Sequence, residues 1–150
     1  MNQIVLLAND SAPIDKRALL NGLGQPADLV QPPDFCLTKP LKQDAERVLC
    51  SLVESAHAFV FRVGQVTESL IHAARHLRIV AVHGIGTDSV DITAASKNGV
   101  YVTVTPGTNS KAVAEFVFGY LLFASRQIHE SIGLLKKGQW DEARIAGTEL

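Results

Sequence analysis

The chain has 150 residues and a formal net charge of −1; 47% of its residues are hydrophobic and 19% charged. That balance suits a globular fold with its own core, one domain or one domain plus the edge of another, and it offers no basic footprint for nucleic acid. The apolar runs, such as Ile4 to Ala8, are too short for a membrane span or a secretory leader, and Cys36 and Cys50 lack metal-ligand spacing, so the expectation is a soluble cytoplasmic protein with reduced thiols.

Strand-like and helix-like patterns alternate along the chain. Gln3 to Ala8, QIVLLA, is an apolar run suited to a strand buried on both faces. Asn9 to Pro13 is turn and cap chemistry, and a helix runs on to about Leu23, stopped by Asn21-Gly22 and Gly24. Ala27 to Val30 is a second strand, closed by Gln31-Pro32-Pro33. Leu41 to Ala56 reads as an amphipathic helix with Leu41, Ala45, Val48, Leu49, Leu52 and Val53 on one face. Ala58 to Val63 is the third strand. Thr67 caps a helix through Leu77. Arg78 to Val82 is the fourth strand, Ser89 to Asn98 the fourth helix, closed by Gly99, and Val100 to Thr105 the fifth strand.

Five strands alternating with four helices imply an α/β fold: a parallel sheet with helices on both faces, in the flavodoxin-like order 2-1-3-4-5. The last third differs. Val113, Phe116, Val117, Tyr120, Leu121, Ala124, Ile128, Ile132 and Leu135 recur at helical spacing, with Phe118, Leu122 and Phe123 off that stripe. One helix from about Lys111 to Lys137 would be roughly 40 Å long. Apolar on more than one side, it calls for a second body to pack against. Lys136-Lys137-Gly138 is its stop signal.

The run Val80 to Asp91, VAVHGIGTDSVD, places Gly84 and Gly86 directly after the fourth strand. Three readings exist for such a loop: a dinucleotide cradle, a tight turn, or a backbone anion site. Against the cradle, the third glycine of the fingerprint is replaced by Ser89, the next strand ends Val104-Thr105-Pro106 without an acidic residue, and the loop follows the fourth strand instead of the first. For the anion site, glycines let N–H groups approach a small carboxylate, and open α/β sheets bind ligands at the carboxyl ends of their strands. Arg62-Val63-Gly64-Gln65 after the third strand and Thr105 to Asn109 after the fifth offer matching chemistry.

These residues carry a family resemblance. The run HGIGTDSVDITAASKNGVYVTVTPGTNSKAVAEF, followed by LLFASRQIHE, KKGQW and GTEL, resembles the NAD(P)-dependent D-isomer-specific 2-hydroxyacid dehydrogenases. The G-x-G-x-D-x-V-D element followed by N-x-x-x-V-A-E, here Asn109 to Glu115, is specific in combination. The resemblance implies a flavodoxin-like substrate domain over residues 1–108, a long linking helix over 109–138, and a lead-in over 139–150 to a separate Rossmann domain. On that reading the dinucleotide glycines and the catalytic Arg, Glu and His lie past Leu150.

The resemblance also implies site residues. Arg62 would lie near the substrate, and Val63 and Gly64 would offer N–H groups to its carboxylate. Gly84 and Ile85 would form the loop facing substrate and nicotinamide. Asn109 would lie close to the substrate and Val113 near the cofactor ring. The segment RVGQVT has valine where Ser or Thr is common in the family and is one residue shorter, which weighs against a phosphorylated substrate.

Other readings of these residues stay open. Arg62 also suits a surface ion pair, and Asn109 a helix cap. His83 has no visible orienting partner for a general base. Asp88 and Asp91 suit capping of the fourth helix, and His57, His72, His76 and His129 show no metal-ligand spacing.

The expected function is the substrate-binding half of an oxidoreductase that interconverts a D-2-hydroxy acid and a 2-oxo acid with NAD or NADP, phosphoglycerate or glycerate/hydroxypyruvate being the candidate substrates, without activity in this segment alone. A homodimer is expected from the long apolar helix. The rival expectation is a non-enzymatic small-anion-binding or regulatory module of the same fold.

Overall fold

The computed structural model describes residues 2–9, 13–24 and 26–150. Residues Asp10 to Ala12 of the expected turn after the first strand lie outside them. The chain divides into two compact units, Met1–Pro106 and Gly107–Leu150.

The first unit is built on five parallel strands: β1 (Asn2–Leu7), β2 (Ala27–Val30), β3 (Ala56–Phe61), β4 (Ile79–Val82) and β5 (Tyr101–Thr103). Their order is β2-β1-β3-β4-β5, the order expected of the flavodoxin-like fold. Val5 pairs with Phe59, and Phe59 with Val80, so fully buried residues of three strands lie side by side.

Four helices connect the strands, and sequence chemistry sets their ends. In α1 (Lys16–Leu23), Asp15 Oδ1 accepts from the amides of Arg17 and Ala18 at 2.9 and 3.0 Å, and Gly24 closes the helix at φ 64°. Helix α2 spans Gln43–Leu52. It starts later than its apolar pattern, because a 3-10 turn at Asp34–Cys36 precedes it and the Leu41 amide donates to Gln65 Oε1. Thr67 caps α3 (Glu68–Ala73), and Asp91 caps α4 (Ile92–Lys97).

Val5, Leu7, Leu49, Phe59, Leu70 and Val80 belong to one buried cluster that also takes in Cys36. Ile4, Leu6 and Ala8 are buried outside it, on the opposite face of β1 by strand alternation. Strand β1 is therefore covered on both sides, as a parallel strand must be. Complete burial of a phenylalanine such as Phe59 contributes about 1.5–3 kcal/mol relative to leaving it in water.

The second unit corrects one expectation. The helix read as continuous from Lys111 to Lys137 is two helices, α5 (Ser110–Ser125) and α6 (Ile128–Leu135). Gln127 adopts the left-handed conformation at φ 49°, which ends the hydrogen-bond ladder although no glycine or proline marks the spot. Neither helix contains a buried residue. The rings of Phe116, Tyr120 and Phe123 lie tilted against one another along α5, and Phe123 meets the ring of His129 on α6. The segment after α6 returns to the end of α5, where the Thr148 amide donates to the Ser125 carbonyl at 2.8 Å. Among the described residues no helix is long and apolar enough to cross a membrane.

Candidate functional site

The carboxyl ends of β3 and β4 open onto a hollow of about 490 Å³. Its lining includes Arg62, Val63 and Gly64 from the end of β3, and His83, Gly84 and Gly86 from the end of β4. Asn9, beyond β1, and Lys39, from the loop before α2, complete the rim. Residues remote in sequence meet here because β1, β3 and β4 are adjacent and parallel, so all three chains leave the sheet at the same end.

Backbone hydrogen bonds hold the strand tips. The amides of Arg62 and Val63 both donate to the Leu7 carbonyl, at 2.9 and 3.0 Å, and the His83 amide donates to the Phe61 carbonyl at 2.7 Å. The end of β5 is tied in as well: the amide and hydroxyl of Thr105 both donate to the Gly84 carbonyl, at 2.8 and 3.1 Å. The Val63 N–H thus donates to Leu7 in this structure, and the residue lines the hollow. Among the described residues nothing accepts from the amides of Gly64, Gly84, Ile85 or Gly86.

The glycines differ in cause. Gly64 has φ 94°, and a Cβ there would lie 3.3 Å from the Leu37 Cα, so the internal structure demands glycine. Gly84 has no positive φ, and its nearest neighbour would be a Val82 methyl at 4.0 Å. Nothing inside the molecule requires a glycine at 84. The bare backbone leaves space open on the hollow's side.

Two cationic side chains serve the hollow. The Arg62 guanidinium donates to His83 Nδ1, across the tips of β3 and β4. Arginine has donors only, so Nδ1 is the acceptor and, in the neutral ring, Nε2 carries the hydrogen. Lys39 Nζ lies 2.8 Å from both Asp88 Oδ2 and Ser89 Oγ. That hydrogen bond from Lys39 is the main cause holding the Asp88 carboxyl below its ordinary value.

The loop does not fit a dinucleotide's pyrophosphate. A Cβ on Gly86 would lie 2.9 Å from Asp88 Oδ1, so a carboxylate borders the place where phosphate oxygens would come. At the start of α4, Asp91 Oδ1 already accepts from the Ala94 amide at 2.8 Å, the kind of donor a phosphate would need.

Of the residues expected at the site, Arg62, Val63, Gly64 and Gly84 line one hollow. Ile85 belongs to the same loop but is not part of the lining; its side chain is largely exposed. Asn109 and Val113 belong to the second unit: Asn109 stands at the start of α5 without a side-chain capping bond, and Val113 is exposed one turn on. Lys39 and the acceptor role of His83 were not legible in the sequence. Lys39 reaches the site only through the connection before α2, and no local pattern marks it.

The family model of the D-isomer specific 2-hydroxyacid dehydrogenase catalytic domain matches residues 27–144. The chain belongs to that family. Among similar proteins is the D-3-phosphoglycerate dehydrogenase of Methanocaldococcus jannaschii, 32% identical over 132 residues, which are 76% of this chain and 25% of that protein. The glyoxylate reductase of Thermofilum pendens is 36% identical over 100 residues, 67% of this chain and 26% of that protein. The chain therefore spans about a quarter of the length of these curated relatives. In fold it resembles the crystal structure of a glyoxylate reductase from Paecilomyes thermophila, with TM-score 0.72 and 19% identity over 97% of this chain and 44% of that one.

Proposed function

We propose that this chain is the substrate-binding part of an oxidoreductase that interconverts a D-2-hydroxy acid and its 2-oxo acid with NAD or NADP. One observation carries the proposal: a guanidinium and several unspent backbone amides face one hollow at the carboxyl end of a parallel sheet. The names of the relatives, a D-3-phosphoglycerate dehydrogenase and a glyoxylate reductase, support a small 2-hydroxy or 2-oxo acid as the ligand.

In this reading the substrate carboxylate enters the hollow and accepts from the amides of Gly64 and Gly84. The Arg62 guanidinium supplies a charge-assisted bond, stronger than a neutral one. Arg62 is pre-oriented by His83, so little side-chain freedom is lost when the acid arrives. The bare Gly84 backbone lets the ligand come close. Ile85, exposed and apolar, is the contact of the first unit for the nicotinamide ring; in the second unit, Val113 is taken as a cofactor contact and Asn109 as a polar substrate contact. The nicotinamide, when bound, supplies or accepts the hydride. The dinucleotide is held by a separate nucleotide-binding domain, to which residues 139–150 lead.

The exposed apolar residues of α5 and α6 form the contact of a homodimer, and the enzyme works in the cytoplasm. An exposed apolar surface of this kind marks an interface.

The test is NAD(P)H oxidation with glyoxylate and hydroxypyruvate. The full-length protein should consume NADH or NADPH with at least one of these acids, and the 150-residue chain alone with neither. A full-length protein that binds glyoxylate in the hollow but oxidises neither cofactor would overturn the enzymatic reading in favour of a non-enzymatic anion-binding module.

A further inference from the structure

We propose that the opposite end of the sheet carries a second anion site, one that takes a phosphate group. The inference does not depend on the function assigned to the first hollow. At the amino ends of β3, β4 and β5 lies a depression of about 630 Å³, whose walls include His57, Arg75, His76, Arg78 and Asn98. Basic side chains dominate this lining, and no carboxylate belongs to it.

The imidazoles of His57 and His76 are stacked, with centroids 5.6 Å apart and planes at 15°. The Gln3 amide donates to His57 Nδ1 at 3.3 Å, so Nδ1 is an acceptor and the ring hydrogen of neutral His57 sits on Nε2. A donor is thereby left over for a ligand. Neither the Arg75 nor the Arg78 guanidinium has an ion-pair or hydrogen-bond partner among the described residues. Elsewhere in the molecule Lys39, Arg47, Lys111 and Arg144 each have a carboxylate within 4.0 Å.

The backbone holds this cluster in place. The Arg78 amide donates to the His57 carbonyl at 2.9 Å, and the Arg78 carbonyl accepts from Tyr101 at 3.0 Å, so Arg78 is fixed between β3 and β5. The turn before it is closed by Leu77 donating to Ala74 at 2.9 Å. Asn98 forms part of the wall, and its side-chain amide spends one of its two hydrogens on the Ala94 carbonyl at 2.8 Å. Two guanidinium forks and an imidazole N–H supply more donors than a single carboxylate can accept in a plane. They match the three terminal oxygens of a phosphate group.

The test is titration of the full chain with inorganic phosphate, balanced against chloride at constant ionic strength, read by NMR of the histidine rings. The signals of His57 and His76 should move saturably with one shared Kd, while those of His83 do not follow that curve. Arg75 and Arg78 are exposed, so the double variant R75Q/R78Q should keep its fold and bind phosphate at least about tenfold more weakly, the size of a single lost charge-assisted bond. H76A, the second variant, should weaken binding several-fold. Absence of saturable movement beyond the chloride control, or wild-type phosphate affinity in a folded R75Q/R78Q or H76A, would overturn the site.

Discussion

The guanidinium of Arg62 donates to Nδ1 of His83, joining the tip of β3 to the tip of β4 over the hollow. This pairing uses one nitrogen of Arg62 and leaves the rest of its fork for a ligand. Replacing Arg62 with alanine should weaken glyoxylate binding by about ten- to a hundredfold, the range of one charge-assisted hydrogen bond. H83A should cost less, a few-fold, because the charge remains and only its orientation is lost. Calorimetric or NMR titration of the two variants checks the order. Equal losses for both would mean that His83 itself holds the ligand.

Gly64 and Gly84 predict opposite phenotypes. G64A puts a side chain into a left-handed backbone position and against Leu37, so it should destabilise the fold by roughly 1–3 kcal/mol. G84A meets no neighbour closer than 4.0 Å. It should leave stability within about 0.5 kcal/mol of the parent and still abolish glyoxylate binding, because the methyl group occupies the ligand's approach. Urea unfolding combined with binding separates the two. A destabilised G84A would remove the argument that its space belongs to a ligand.

Asp88 predicts a pH effect. Its carboxyl titrates below the ordinary aspartate value near 3.8, chiefly because Lys39 donates to it. A depressed folded-state value means that the Lys39 contact stabilises above the unfolded value and is lost as the pH falls through the folded one. Both side chains are largely exposed, so salt screens the contact and the effect on stability is small. K39M should move the Asp88 titration, followed by carboxyl NMR, back up towards the ordinary value. An unchanged curve would show that Lys39 is not the cause.

The second unit predicts a stabilising substitution. Gln127 carries the left-handed turn between α5 and α6 at φ 49°, where a side chain costs roughly 1–2 kcal/mol. Q127G should raise the melting temperature of this unit. Conversely, a Cβ on Gly147 would lie 2.5 Å from the Ser125 carbonyl oxygen, so G147A should loosen the returning tail from the end of α5. Hydrogen exchange at Thr148, whose amide donates there, reports that change.

Much of the fold was legible because its signals are local. The buried run of β1, the caps at Thr67 and Asp91 and the glycines at 24 and 99 each act within a few residues. Arg62, Gly64 and Gly84 could be placed together because parallel strands deliver their carboxyl ends to one side. Lys39 could not, since it meets Asp88 across 49 residues and only the folded connection brings it there. Nor does the sequence show that the Leu7 carbonyl takes the amides of Arg62 and Val63 at once. The break at Gln127 was hidden for a third reason: the apolar stripe runs through it, and a non-glycine left-handed residue leaves no mark in composition.

The claim that a small acid is held at the strand tips is tested most directly by a backbone amide NMR titration of the chain with glyoxylate. Saturable shifts are expected at Gly64, Gly84, Ile85 and Gly86, with Val63 following only weakly because its amide stays on Leu7. Shifts confined to other parts of the sheet, or none that saturate, would contradict it.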